Sequence, residues 1–447
     1  MAGLGPRVVV AGTHSGVGKT TIATGLMAAL RRRGTRVAAA KVGPDFIDPG
    51  YHALATGRAA RNLDAWICGE HRIAPLAAKA AHGADVLVVE GVMGLFDGAA
   101  EPGNPASTAH VARLLDAPVL LVVDASAMSG SVAALAHGFA TFDPSVRVAG
   151  IVLNRVGSPA HEAMLRDALA PLEVPVLGAL ARADELAWRD RHLGLVPVVE
   201  QREAVQAAVD RLAVEVAASC DLDTIVRVAG SAPRVAAGDP PAARPTAAAR
   251  VAVAGGPAFS FTYPDNLELL EEAGAELVPF DPRYDAALPD DVDAVYAGGG
   301  FPEVFVEELA SNRPLLTDLH ERVEDGLVAW AECGGLLWLS RSLDGHALCG
   351  ALAADGRMSD RLTLGYRTAR VDCDTPVTPA GAQLRGHEFH YSVLDPPGDA
   401  LEMSGRNGPT RAGYASPRLL ASYLHLHLAA DPRMAERFVT TAASMRS

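Results

Sequence analysis

The chain has 447 residues, a formal net charge of −14 and 49% apolar residues, of which few are aromatic. That length predicts two or more domains, each able to bury its own core, while the acidic balance excludes a general nucleic-acid binder, which needs a basic face. Cys68, Cys220, Cys333, Cys349 and Cys373 are odd in number and widely scattered, which argues for reduced thiols in the cytoplasm and against a disulfide framework or a zinc site.

No apolar run approaches the roughly 20 residues that cross a bilayer, and a strand begins within a few residues of Met1. Neither a membrane partner nor a signal peptide is expected. Unbroken apolar runs lie at 8–11, 37–42, 86–89, 118–123, 148–153 and 176–180, separated by stretches long enough for crossover helices, such as 20–32 with its Ile22, Leu26, Ala29 and Leu30 face. Runs of this kind predict a parallel α/β sheet covered on both sides.

The first strand leads into Gly12-Thr13-His14-Ser15-Gly16-Val17-Gly18-Lys19-Thr20-Thr21. A Gly-rich turn between a buried strand and a helix aims successive N–H groups at a phosphate, and the helix dipole adds to them. Lys19 is expected to reach the outer phosphates and the Thr20 hydroxyl to complete a Mg²⁺ shell. The glycine that usually stands at position 13 is displaced to Gly12.

Two acidic segments follow later strands: Lys41-Val42-Gly43-Pro44-Asp45-Phe46-Ile47-Asp48-Pro49-Gly50, then Glu90-Gly91-Val92-Met93-Gly94-Leu95-Phe96-Asp97-Gly98. Both fall at the C-terminal edge of the sheet, where open α/β folds bind ligands. Acids beside a triphosphate repel it unless they hold a metal, so Glu90 is the first candidate for Mg²⁺, with Asp48 or Asp45 second. Asp64 and Asp124 read equally well as turn residues.

Residues 231–249 are rich in Pro and Ala without apolar periodicity and read as a linker between domains at 1–230 and 250–447. The α/β rhythm then restarts, with strands at 251–254, 276–278 and 294–297, a helix at 266–273 and the triplet Gly298-Gly299-Gly300. A strand over 327–332 ends in Cys333-Gly334-Gly335 before helical Leu336–Leu339, the pattern of a nucleophile elbow whose helix N-terminus is expected to lower the thiol pKa. Gly334, Gly299 and Gly300 are candidates for an oxyanion hole. A base is needed, and the strand-like run 419–428 supplies His425 and His427, which strand alternation would place on one face.

The phosphate loop resembles that of the dethiobiotin synthetase-like ATPases, in which ATP activates a carboxylate. That resemblance implies an adenine contact from Asn154. The second half resembles the class I glutamine amidotransferases, whose last strand usually reads His-Pro-Glu. Position 427 is His instead, a departure shared with the corrinoid amidotransferases, which use a Cys–His dyad. Alignment with those relatives implies His425 as the base, with His427 as the alternative.

Taken in order, GTHSGVGKTT, KVGPDFIDPGYH, EGVMGLFDG, RHLGLVP, FTYPDN, AECGGL, RGHEFHYS and ASYLHLH are similar to the cobyrinic and hydrogenobyrinic acid a,c-diamide synthase family. The resemblance implies ATP, L-glutamine and a corrinoid as substrates, Mg²⁺ as cofactor and a homodimer as one form of assembly. It implies Cys333 as nucleophile, and Asp45, Asp48 and Asp97 as candidates to position the substrate carboxylate. It leaves open whether the macrocycle carries cobalt. Cobyric acid synthases and nickel-sirohydrochlorin a,c-diamide synthases are the nearest alternatives. A phosphate-loop switch with an inactive thiol domain is the non-enzymatic one. RGHEFHYS is expected to be structural or interdomain.

Overall fold

The computed structural model describes residues 3–99, 101, 103–182, 190–191, 194–195, 197–405 and 408–444. The RHLGLVP motif at 191–197 therefore lies partly outside the described residues. The chain divides into two units, Met1–Pro240 and Pro241–Ser447.

The first unit is built on β1 (Arg7–Gly12), β2 (Val37–Val42), β3 (Arg61–Leu63), β4 (Val86–Glu90), β5 (Val119–Asp124), β6 (Val148–Val156) and β7 (Val176–Ala181). They form one parallel sheet in the order β3-β2-β4-β1-β5-β6-β7. All six residues of β1 and of β2 and all five of β4 are buried, which is why these strands read as continuous apolar runs. Only β3 escapes the apolar pattern, being three residues long with Arg61 and Asn62 in it. Helix α1 (Lys19–Arg32) follows the phosphate loop, and α2 (Asp48–Thr56) follows β2. The loops after β1, β2 and β4 thus meet at one sheet edge.

The Pro/Ala-rich stretch is tied down within each unit. Val235–Ala236 pairs antiparallel with Gly3–Leu4, and the Arg7 guanidinium donates to the Pro233 carbonyl at 2.7 Å. Beyond the division, Ala243 N donates to Glu272 and Arg244 N to Glu436.

The second unit holds β8 (Ala249–Ala254), β9 (Ala275–Phe280), β10 (Ala294–Ala297) and β11 (Val328–Glu332), then β12 (Leu352–Val371), β13 (Gln383–Asp395), β14 (Tyr414–Ser416), β15 (Leu419–Ser422) and β16 (His425–Leu426). One sheet runs β9-β8-β10-β11-β15-β14, parallel except for its last pair. A second sheet pairs β12 with β13 and β13 with β16, both antiparallel. Helix α3 (Pro264–Glu272) follows β8, and α4 (Gly334–Leu339) follows β11.

The run 419–428 is not one strand. It belongs to the first sheet up to Ser422, breaks at Tyr423–Leu424, and rejoins the second sheet at His425–Leu426. Both histidines follow that break: His425 lies in β16, and His427, still extended, comes directly after it.

Candidate functional site

In the first unit the loop from Thr13 to Gly18 turns on two left-handed glycines, Gly16 at φ 80° and Gly18 at φ 99°. The displaced Gly12 has a packing reason. A Cβ there would lie 2.4 Å from Val17 Cγ1, because the loop folds back over the strand end. Asn154 supports the loop from below: its amide donates to the Val17 carbonyl at 2.9 Å, and a Cβ on Gly18 would strike the same nitrogen. In this structure the Asn154 amide is therefore engaged with the loop. Arg155 donates to the Gly16 carbonyl at 3.0 Å and pairs with Asp124. Asp64 accepts from Trp66 N and Ile67 N. Asp124 and Asp64 thus have local structural duties.

Lys19 is 7% exposed and donates to the His14 carbonyl at 3.2 Å. Burial and the nearby Lys41 ammonium pull its pKa down to about 8, against the pull of Glu90, Asp48 and Asp97. Thr20 Oγ1 lies 2.7 Å from Glu90 Oε1 and 3.4 Å from Asp48 Oδ2. Between these carboxylates sits Lys41 Nζ, 2.6 Å from Asp48 and 2.8 Å from Glu90. Burial opposes the Lys41 charge, yet Asp48 and Glu90 outweigh it and hold its pKa above the ordinary value. Burial likewise opposes the Glu90 charge, but Lys41 and His52 keep it ionised, with His52 Nε2 at 2.6 Å. Asp48 moves upward because it is buried and faces Asp45.

The converging oxygens of Thr20, Asp48 and Glu90 are hard donors of the kind that suit Mg²⁺. Asp45 instead accepts from Ile47 N and Asp48 N at the start of α2, and Asp97 accepts from Gly94 N. Lys41 and His52, which organise the carboxylates, were not anticipated from sequence. Their signal is a lysine on a buried strand paired in register with another strand's glutamate, Lys41 opposite Glu90.

In the second unit Cys333 stands between β11 and α4 with φ 50° and ψ −97°. A non-glycine residue at positive φ is strained, and this strain is the mark of a nucleophile elbow. Its N–H donates to the Ser422 carbonyl at 2.8 Å. The elbow closes against the glycine triplet: Gly335 N donates to the Gly298 carbonyl at 3.0 Å, and a Cβ on Gly334 would lie 3.1 Å from Gly300 N. Gly299 differs from expectation. Its N–H is spent on the Phe261 carbonyl at 3.1 Å, and a Cβ there would sit 2.4 Å from His425 Cε1. This glycine admits the imidazole and does not offer an oxyanion donor.

The thiol pKa also departs from expectation. Burial, then Glu303, Glu388 and Glu332, push the Cys333 thiol upward and outweigh the Gly334 N–H. A short helix end does not compensate desolvation of a thiolate. The resting group is a protonated thiol that needs a base.

His425 is 1% exposed, with Nδ1 4.0 Å from Glu332 Oε2. Burial, then His387 and His390, drive its pKa well below 6.5, so it rests as a neutral imidazole. His427 turns elsewhere: it stacks on Tyr263 at 4.4 Å and accepts from Ala429 N. FTYPDN accounts for that placement, since Asn266 clamps the segment with its amide on the Leu426 carbonyl at 2.8 Å and its oxygen on Leu428 N at 2.7 Å.

RGHEFHYS forms part of β13, beside β16. His387 lies opposite His425 in register, Glu388 pairs with Arg367 at 2.7 Å, and His390 stacks on Tyr423 at 3.7 Å. Among the described residues no three His, Cys, Asp or Glu side chains converge as a metal centre.

Comparison with known proteins agrees with this two-site arrangement. Residues 8–196 match the CobQ/CobB/MinD/ParA nucleotide binding domain, and residues 250–433 the CobB/CobQ-like glutamine amidotransferase domain. The chain is 48% identical to the hydrogenobyrinate a,c-diamide synthase of Streptomyces coelicolor over 97% of each protein. It is 48% identical to that of Mycobacterium tuberculosis over 98% of each. It is 41% identical to the cobyrinate a,c-diamide synthase of a Synechococcus species over 97% of each. With both sites present and the match running almost end to end, the chain belongs to the family of hydrogenobyrinate and cobyrinate a,c-diamide synthases.

Proposed function

We propose that the protein amidates the a and c acetate carboxylates of a corrinoid, using ATP to activate each carboxylate and glutamine to supply nitrogen. One observation carries the reading: a strained, buried Cys333 with a buried His425 in the same unit, and a phosphate cradle at Lys19 and Thr20, occur on one chain. Cys333 attacks the glutamine side-chain amide carbon, the C–N bond breaks, and ammonia leaves behind a thioester that water hydrolyses. His425 accepts the thiol proton and returns it to the leaving nitrogen. In this reading the N–H groups of Gly300 and Gly334 supply the oxyanion hole.

At the other site the loop N–H groups and Lys19 hold the ATP phosphates. Thr20, Asp48 and Glu90 would hold Mg²⁺, which when bound neutralises phosphate charge. A carboxylate oxygen is a poor leaving group, so the carboxylate first attacks the γ-phosphorus of ATP, breaking the bond to ADP and giving an acyl phosphate. Ammonia then attacks the acyl carbon, phosphate leaves, and the amide remains after loss of a proton. Asp97 is exposed at the same edge, and in this reading it and Asp45 orient the incoming carboxylate. The 48% identity to relatives named for hydrogenobyrinate, against 40–44% to those named for cobyrinate, favours the metal-free macrocycle. Five free cysteines fit work in the reducing cytoplasm. Self-association as a homodimer belongs to the same reading.

Mass spectrometry of the products from cobalt-containing and metal-free macrocycles, each with ATP and glutamine, tests it. Two added amide groups on the metal-free macrocycle is the expected product; unchanged macrocycle in both reactions would refute the assignment.

A further inference from the structure

We propose that Glu332, the residue immediately before the thiol, is the acid that positions the His425 imidazole and replaces the carboxylate this chain lacks on its last strand. The inference rests on the amidotransferase reading and adds a member to its thiol site.

Three observations converge on Glu332. First, its Oε2 lies 4.0 Å from His425 Nδ1, with both side chains almost wholly buried. Second, its other oxygen accepts from Leu426 N at 2.8 Å. That bond fixes the backbone next to His425, so one carboxylate controls both the ring's neighbour and the ring's inner face. Third, the ring has two distinct environments. A Cβ on Gly299 would lie 2.4 Å from Cε1 and 3.3 Å from Nε2, so the Nε2 edge looks towards the glycine loop that packs on Gly334. Nδ1 looks towards Glu332. Burial raises the Glu332 pKa to about 8, so its ionised form grows as pH rises through that value. With that carboxylate facing Nδ1, a proton held there leaves the Nε2 lone pair to take the proton from Cys333 Sγ, and the imidazolium then forms with a carboxylate at its back.

Glu332 is itself held. Tyr296 donates to Oε2 at 3.1 Å and stacks on Trp330 at 4.3 Å. An acceptor oxygen has two lone-pair directions, so Oε2 retains one for the imidazole. The 4.0 Å separation is longer than a hydrogen bond, as catalytic contacts often are before substrate binds. Other charged or titratable groups that act on His425 are His387, His390 and Glu388. Glu388 is the competing acid, but its carboxylate pairs with Arg367 at 2.7 Å. In the common class I arrangement the orienting acid follows the histidine by two residues. Here that position is His427, and the acid comes from the nucleophile's own strand.

Glu332→Gln keeps the shape and the acceptor for Leu426 N but removes the anion. The expected result on the full-length protein is a loss of about 10²-fold in glutaminase kcat, with KM for glutamine within about twofold and with partial recovery in Glu332→Asp. A purely structural role predicts that Glu332→Gln matches the parent, and that result would overturn the inference. A second measurement needs no variant at Glu332. In protein labelled with heavy nitrogen at histidine and held above the Glu332 pKa of about 8, the His425 resonance, identified by its loss in His425→Gln, should report a proton on Nδ1. A proton on Nε2 in the resting protein would overturn the inference even if the glutamine variant fails to fold. Absence of glutaminase activity in the unmodified protein would instead count against the functional reading, and the tautomer would still decide the role of Glu332.

Discussion

The imidazoles of His387 and His425 stack at 4.9 Å across β13 and β16, with both rings buried and both held neutral. Burial, then His427, pushes His387 down to about 3, so it brings no charge to the base at ordinary pH. A histidine with a depressed pKa remains a competent base as the solution becomes more acidic. An acid limb near pH 8 belongs to Glu332, so in Glu332→Gln glutaminase kcat/KM should hold steady as pH falls through 6.5, where an ordinary imidazole is half protonated. The pH–rate profile of glutamine hydrolysis by that variant checks this, and an acid limb centred at or above 6.5 in it would contradict the assignment of His425.

Lys19 gives the opposite sign at the other site. Its pKa is lowered to about 8, so the free protein loses this charge as pH rises through that value. ATP affinity should weaken progressively above about pH 8. Lys19→Ala should flatten this dependence and abolish amidation from both glutamine and free ammonia. Calorimetric ATP binding across the pH range reads the first effect, and product formation with ammonium salts reads the second. Amidation that survives Lys19→Ala would remove the phosphate-loop assignment.

The clamp made by Asn266 predicts a stability effect with no chemistry of its own. Asn266 is fully buried and satisfies both Leu426 O and Leu428 N. Asn266→Ala leaves two buried backbone groups unpaired, costing about 1–3 kcal/mol for each, and frees the segment that carries His425. Denaturant unfolding of the second unit should shift accordingly, with glutaminase activity falling more than ammonia-dependent amidation. Unchanged stability would mean that the segment is held by packing alone.

These relationships mark the boundary of what a sequence makes legible. The parallel strands were readable because burial on both faces leaves an unbroken apolar run. The phosphate loop and the elbow were readable because each is a contiguous strand–turn–helix signature. The shell around His425 is different in kind. Glu332 reaches Leu426 across 94 positions and Asn266 reaches it across 160, and no local pattern encodes such a meeting. The same holds for RGHEFHYS, whose position beside the base follows from register between β13 and β16. The raised thiol pKa is not legible either, because the helix end is a local signature and the burial that outweighs it is not.

The central claim is that ammonia made at Cys333 is consumed at the site of Lys19. The most direct test supplies glutamine with heavy nitrogen in its side-chain amide, together with unlabelled ammonium, and weighs the product. Both new amides should carry the heavy isotope in the unmodified protein, and both should be unlabelled in Cys333→Ala, which should still amidate with ammonium. Unlabelled product from the unmodified protein while glutamine is being hydrolysed, or heavy product from Cys333→Ala, would contradict the account.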